Sequence, residues 1–481
     1  MVFIKMKRRK GKMKKVLVFM LVVVVSLTLT GCWGRSGDDV VTLKWVQVGN
    51  GMPANYDAWK ANLDKYLEEK IGVHLDVEVV SWGDWSNRRS IIVNTNEDYD
   101  ILFTDMSTFS GDVALGAFAD ISNLVKTTAP DLYSYVPAAY WSAAQIDGKI
   151  YAVPTYKDSS ATQYFVFDKM LADKYNIDYN NIHNLTELTQ PFTKVKEGEG
   201  ITPFILAGTN GLSAVYSWYD RMGVGLPAFG VRYDDQERKV VAVFEQEDVM
   251  GYLKTLHSWY KSGIINADAA TLAEEPKYRF CQVAQGWSGA AVTTWGPNMG
   301  VEAIAVQWGD TVISNETVQG SMSCISSSSK NPEKALKLLE LVNTDSYVRD
   351  ALYYGLEGEN FKYTADGKVH RINTDWTMAG YTQGTFFNVS QTDDVAFNQW
   401  DEVKGLNESA KPSVLLGFNF DYSNLTDQVA NCVEIYNRYK SELLTGAVEP
   451  TRCVAEMMAQ MRAAGFDELV AAAQAQINEH F

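Results

Sequence analysis

Between Leu43 and Phe103 short apolar strands alternate with amphipathic helices, and that alternation admits few folds. Leu43-Lys44-Trp45-Val46-Gln47-Val48 reads as a strand, broken by Gly49-Asn50-Gly51. In the segment that follows, Trp59, Leu63, Leu67 and Ile71 recur four apart on one helical face, and Gly72 is placed to cap it. Val73 to Val79 alternates apolar and polar with a period of two. A second helix is expected over residues 84–95, then a short buried strand at Ile101-Leu102-Phe103. Strand, helix, strand, helix, strand at this spacing means βαβ units and a largely parallel sheet. Further on, Asp147-Gly148 signals a turn, and Ile150 to Pro154 is extended. Gln163 to Phe167 gives another strand before a helix at 169–175, and GAAVTT before Trp295 also reads as a strand. Asn331-Pro332-Glu333 opens a helix whose buried stripe is Ala335, Leu338, Leu339 and Val342. The chain ends in two helices separated by Gly465.

The N-terminus is of another kind. Residues 1–15 hold eight lysines and arginines and no acid; residues 16–30 are almost wholly apolar. A positive start, a short apolar run and small residues at the cut make an export signal. The run is shorter than the ~20 residues a membrane-spanning helix needs. Leu29-Thr30-Gly31-Cys32 resembles a bacterial lipobox, which predicts a signal peptide over 1–31, lipid (palmitate) on Cys32 and a tether over 32–41. The mature chain would sit on the outer face of the cell membrane.

Removing eight basic residues and no acidic ones takes the formal charge from −16 to −24. Such a charge argues against nucleic acid as a partner. Thirteen Trp and 25 Tyr exceed what a core alone asks for and suit a surface that stacks on ligands. Cys281, Cys324, Cys432 and Cys453 remain after the anchor, as buried thiols or as one or two disulfides. No Cys/His cluster calls for a metal, and nothing calls for a cofactor.

The order of segments resembles the extracellular solute-binding proteins (sugar-type, family 1-like) that serve ABC importers, in a Gram-positive lipoprotein subgroup. The resemblance rests on Tyr99-Asp100-Ile101-Leu102-Phe103, with Tyr where the family pattern has proline, and on Gly116 to Ile121. It rests further on Asp147 to Pro154 (DGKIYAVP), Tyr164 to Met170, Gly289 to Gly296, Lys330 to Ala335 (KNPEKA) and the tail from Gly355 to Phe481. It implies a two-lobed α/β fold of periplasmic-binding-protein type (type II), with mostly parallel sheets flanked by helices and a ligand cleft between the lobes. Lobe one is expected over 41–153 and 306–345, lobe two over 156–303 and 346–481. Hinge closure would capture a small solute and deliver it to membrane permease subunits, driven by a separate ATPase because the chain has no P-loop. The protein is expected to be a monomer.

A cleft of this kind holds sugar hydroxyls with paired donors and acceptors, and sugar C–H faces on aromatic rings. The loops after the strands supply candidates: Asn50 and Met52, Trp82 and Trp85, then Asp105 and Ser107. Tyr156, Lys157 and Asp158 follow the first crossing. Tyr216, Trp218 and Trp295 come from lobe two, and Phe418 and Asp421 from the tail. The aromatic content favours carbohydrate over peptide. Two rivals are an exported glycoside hydrolase, which would need a carboxylate pair, and a peptide or glycan sensor without transport. The chain has no GxSxG elbow and no HExxH, and it is read as a binding protein without enzymatic activity.

Overall fold

Strand Val41–Gly49 pairs in parallel with Val73–Ser81 over nine residues, and with Ile101–Thr104 on its other side. Trp45, Val46 and Val48 are all buried, so this strand is covered on both faces, as expected for the centre of a parallel sheet. The computed structural model describes residues 40–481; Cys32 and the signal segment lie outside the described residues. The helix between the first two strands, Tyr56–Ile71, buries Trp59, Leu63 and Leu67. It ends where Gly72 takes a left-handed φ of 64° and its N–H reaches back to Glu68. Met322–Ile325 and Ala152–Pro154 complete a five-stranded sheet, both pairings antiparallel.

The second lobe departs from the expected parallel sheet. Cys281–Gln285, Ala161–Asp168 and Ala303–Ile313 form an antiparallel sheet, to which Lys411–Pro412 adds a parallel edge. Ala303–Ile313 pairs with Ala161–Asp168 along its length. The chain therefore does not return to lobe one at 303–306 but after Ile313, through residues 314–321. The tail also divides. Val348, Ala351, Leu352 and Met378 pack into the core of lobe one, beneath the helix Tyr56–Ile71. The helices Thr426–Leu444, Pro450–Ala463 and Phe466–His480 pack into lobe two. The expectation that 346–481 belongs wholly to lobe two is corrected: its first part is built onto lobe one.

GAAVTT is helical, not extended. Ala291–Trp295 forms a turn of π-helix that runs into Gly296–Met299. Gly296 makes this possible, since a Cβ there would lie 2.6 Å from the Ala291 carbonyl oxygen. The helix Pro332–Thr344 buries Ala335, Leu338, Leu339 and Val342, as its spacing predicts. The four cysteines among the described residues, Cys281, Cys324, Cys432 and Cys453, are buried free thiols. No helix among the described residues is long and apolar enough to cross a membrane.

The crossings lie side by side. Thr155 donates its N–H to Ser321 O (3.1 Å), and the hydroxyls of the two residues meet at 2.9 Å. A third element, the helix Gln399–Ser409, grips the first crossing: Asn407 donates to Lys157 O and accepts from Ser160 N–H.

Candidate ligand-binding cleft

Lobe one brings two loops to the cleft. The loop after the first strand is stitched to the segment before Tyr381: Asn50 N–H donates to Thr377 O, and the Thr377 hydroxyl donates to Gly51 O. This brings Trp82 and Tyr381 together with ring planes 7° apart and centroids 5.9 Å apart. Both are open to solvent, 47% and 38% exposed. Trp82 Nε1–H donates to Asn50 Oδ1 at 3.1 Å, which fixes its ring. Met52 is exposed beside them, its Sδ accepting from Val79 N–H. Two nearly parallel, exposed rings make a flat apolar platform open to solvent.

Lys157 joins this platform to a cavity. Its Nζ lies 5.8 Å from the Tyr381 ring centroid and 2.9 Å from Asp158 Oδ1. Beyond it lies a cavity of about 540 Å³, within the range of ligand pockets. Asp158, Gln163, Tyr216, Ser217, Arg221 and Gln285 are among its walls, with Glu316 and Thr317 from the returning crossing. Gln163 donates to Ser217 Oγ, Tyr216 meets the Tyr436 hydroxyl at 3.5 Å, and Arg221 pairs with Glu316. Burial pushes the Glu316 carboxyl up. Burial, with the charges of Asp105 and Asp158 nearby, pushes the Tyr381 phenol up.

The other expected residues lie elsewhere. Tyr156 is buried among Tyr135, Tyr140 and Phe387, and burial pushes its phenol up to about 12. Trp85 packs edge-on against Phe103. Asp105 accepts from Ser107 N–H and its hydroxyl, a turn role, while its charge still reaches Tyr381. Trp218 packs against Trp308 and Tyr252. Trp295 is buried against Tyr164, because the segment before it is helical and turns the indole inward. Ser107, Phe418 and Asp421 line a different groove of about 590 Å³, between the helix Phe109–Ala114 and residues 418–423. Phe418 itself is buried against His480 and Phe481. Sequence reasoning missed Tyr381, Gln163, Arg221, Gln285 and Glu316. Only Gln163 carried a local signal, its place in a recognised strand.

Residues 61–355 match the family model described as bacterial extracellular solute-binding protein. The chain belongs to that family. Residues 414–481 match a domain of unknown function. This solute-binding protein is 29% identical over 458 residues to a carbohydrate ABC transporter substrate-binding protein of Streptococcus pneumoniae, covering 92% of this chain and 91% of that one. Its structure resembles the N-glycan transport solute-binding protein NgtS from Streptococcus pneumoniae, with a TM-score of 0.81, 27% identity and coverage of 91% and 98% of the two chains. Against the NgtS complex with Man5GlcNAc the TM-score is 0.67 at 27% identity, again covering 91% and 98%. Solute-binding proteins of this family are extracellular, and the two lobes with a cleft at their hinge accord with that role.

Proposed function

We propose that this protein captures an oligosaccharide between its lobes and passes it to the permease of an ABC importer, held to the outer face of the membrane by lipid on Cys32. The observation that carries the reading is the exposed Trp82–Tyr381 pair, joined through Lys157 to a cavity walled by amides, hydroxyls and two ion pairs. Aromatic rings take the C–H face of a sugar, and polar side chains pair its hydroxyls. An unpaired polar group in a closed cleft costs about 1–3 kcal/mol, which makes such a site selective. The relatives that bind or carry carbohydrate support the same substrate class. Closure about the hinge accords with NgtS, whose crystal structures score 0.81, 0.70 and 0.67 against this chain; the two lower scores belong to glycan complexes.

Titration with a series of mannose and N-acetylglucosamine oligosaccharides, followed by calorimetry and by tryptophan fluorescence, tests the reading. Saturable binding with a fluorescence change is expected. Trp82→Ala should weaken it by about 0.5–1.5 kcal/mol, the worth of an aromatic contact. Release of shortened sugars in the same tubes would instead favour the hydrolase, and no binding to any carbohydrate would remove the substrate class. For the anchor, Cys32→Ser is expected to abolish palmitate labelling and release the protein into the medium.

A further inference from the structure

We infer that the cleft selects neutral oligosaccharides and rejects acidic ones, because each charged side chain lining its cavity already holds a counter-ion in the same wall. The inference rests on the oligosaccharide reading above. Four charged residues line the cavity: Lys157, Asp158, Arg221 and Glu316. They form two pairs, Lys157 with Asp158 at 2.9 Å and Arg221 with Glu316. The remaining lining is uncharged, with Gln163, Ser213, Ser217, Gln285 and Thr317 as hydrogen-bonding groups.

Each pair is held from outside. The Lys157 backbone is gripped by Asn407, and its ammonium also faces the Tyr381 ring. Arg221 follows the strand Tyr219–Asp220 and lies 5.7 Å from the Tyr216 ring centroid. Glu316 sits in the helix Asn315–Val318, capped by Ser314. The first pair therefore lies on the first crossing, and the second ties lobe two, through Arg221, to the returning crossing, through Glu316.

A uronate or sialate entering this cavity would need a cation, and both cations are taken. To gain one it must displace Asp158 or Glu316 and leave that carboxylate partly buried without its partner. The background field adds to the cost: the chain carries a formal charge of −16, and Asp105 stands near the platform. A neutral sugar meets neither penalty, since amides and hydroxyls suffice for its oxygens. Discrimination here comes from denying the wrong ligand a counter-ion.

The test is calorimetry near physiological salt with two sets of equal length: neutral mannose/N-acetylglucosamine oligosaccharides and uronic-acid oligosaccharides. Neutral sugars are expected to bind at least about tenfold more tightly, the scale of a charge mismatch in a partly desolvated site. Glu316→Gln, which frees Arg221, should raise the ratio of acidic to neutral affinity by about tenfold. Asp158→Asn, which frees Lys157, should move the ratio in the same direction, so the answer does not hang on the folding of one variant. Uronates that bind the unaltered protein as tightly as neutral sugars overturn the inference while leaving the oligosaccharide reading intact. An unchanged ratio in both folded variants also overturns it. Binding of neither set overturns the oligosaccharide reading, and this inference with it.

Discussion

The Arg349 guanidinium is fully buried, and it donates to three neutral oxygens: Gly380 O, Gln383 Oε1 and Thr385 O. Burial brings its pKa down to about 10, still charged at neutral pH. A buried cation held by carbonyls is costly to keep, and here it shapes the loop that carries Tyr381. The same loop is tied to the returning crossing, where the Ser321 hydroxyl donates to Tyr381 O. Arg349→Met leaves Gln383 Oε1 and Thr385 O without this donor, and Gly380 O with only a long bond from Gln383 N–H, which should lower stability by about 2 kcal/mol. It should also weaken oligosaccharide binding as far as Tyr381→Ala does, through the lost platform. A lower melting temperature with unchanged affinity at a temperature where the variant is folded would show that the loop keeps its shape without the guanidinium. Neither residue was legible in the sequence. Tyr381 lies in a stretch without periodicity, and its partner Trp82 comes from the far end of lobe one. Asn50, Trp82, Lys157 and Asp158 were legible as candidates because each follows a strand or crossing that the period-two pattern exposes. Tyr156 and Trp295 carried the same signal and are buried, because local pattern does not say which way a ring turns.

At the scale of elements, the helix Gln399–Ser409 does the work of a strap. Its Asn407 holds the first crossing, while its Glu402 accepts from Ser288 N–H, Ser288 Oγ–H and Gly289 N–H in lobe two. Asn407→Ala removes two hydrogen bonds from the hinge beside Lys157. The expected result is faster ligand release with little change in association, measured by stopped-flow fluorescence, since affinity differences among variants lie mostly in dissociation. This element was invisible to sequence reasoning because its partners are remote in the chain. The GAAVTT segment failed for a related reason: β-branched residues favour strands, but Gly296 and Pro297 set a helical turn that tertiary packing accepts.

A second element, the helix Trp85–Thr95, docks on the sheet through Arg88, which bonds both Glu78 and Glu97, with Lys44 nearby. The Arg88 hydrogen bonds lower Glu97 from its ordinary value of 4.5 to about 2, and lower Glu78 as well. A carboxylate with a depressed folded pKa adds stability that is present above its unfolded pKa and lost as pH falls through the folded one. Denaturant midpoints should therefore fall between pH 5 and pH 2, and less so in Arg88→Met. These side chains are about one-third exposed, so the gain is modest, roughly 1 kcal/mol. An identical pH slope in the variant would remove the network from the account.

For the whole molecule, the fold class and the identity of the first lobe were legible, because βαβ spacing is a local and repeated signal. The limits of the lobes were not. A strand such as Ala303–Ile313 reads the same whichever sheet receives it, and only its pairing with Ala161–Asp168 decides. Hinge closure should appear in small-angle scattering as a smaller radius of gyration when a saturating oligosaccharide is present. An unchanged radius with ligand bound would mean that the cleft takes its ligand without the lobes moving.

The direction of the first strand has a consequence for how the protein meets its cargo. Val41 starts that strand and Asn50 follows its end, so the chain enters the lobe about 30 Å from the loop that carries Asn50. If Cys32 carries the proposed lipid, the chain would come from its anchor to the start of this strand, with the Asn50 loop at the strand's other end. The nine residues from Cys32 to Val41 reach at most about 30 Å when extended. A receptor moored in that way would keep its opening clear of the lipid headgroups, and would have to tip over to hand its ligand to a membrane partner.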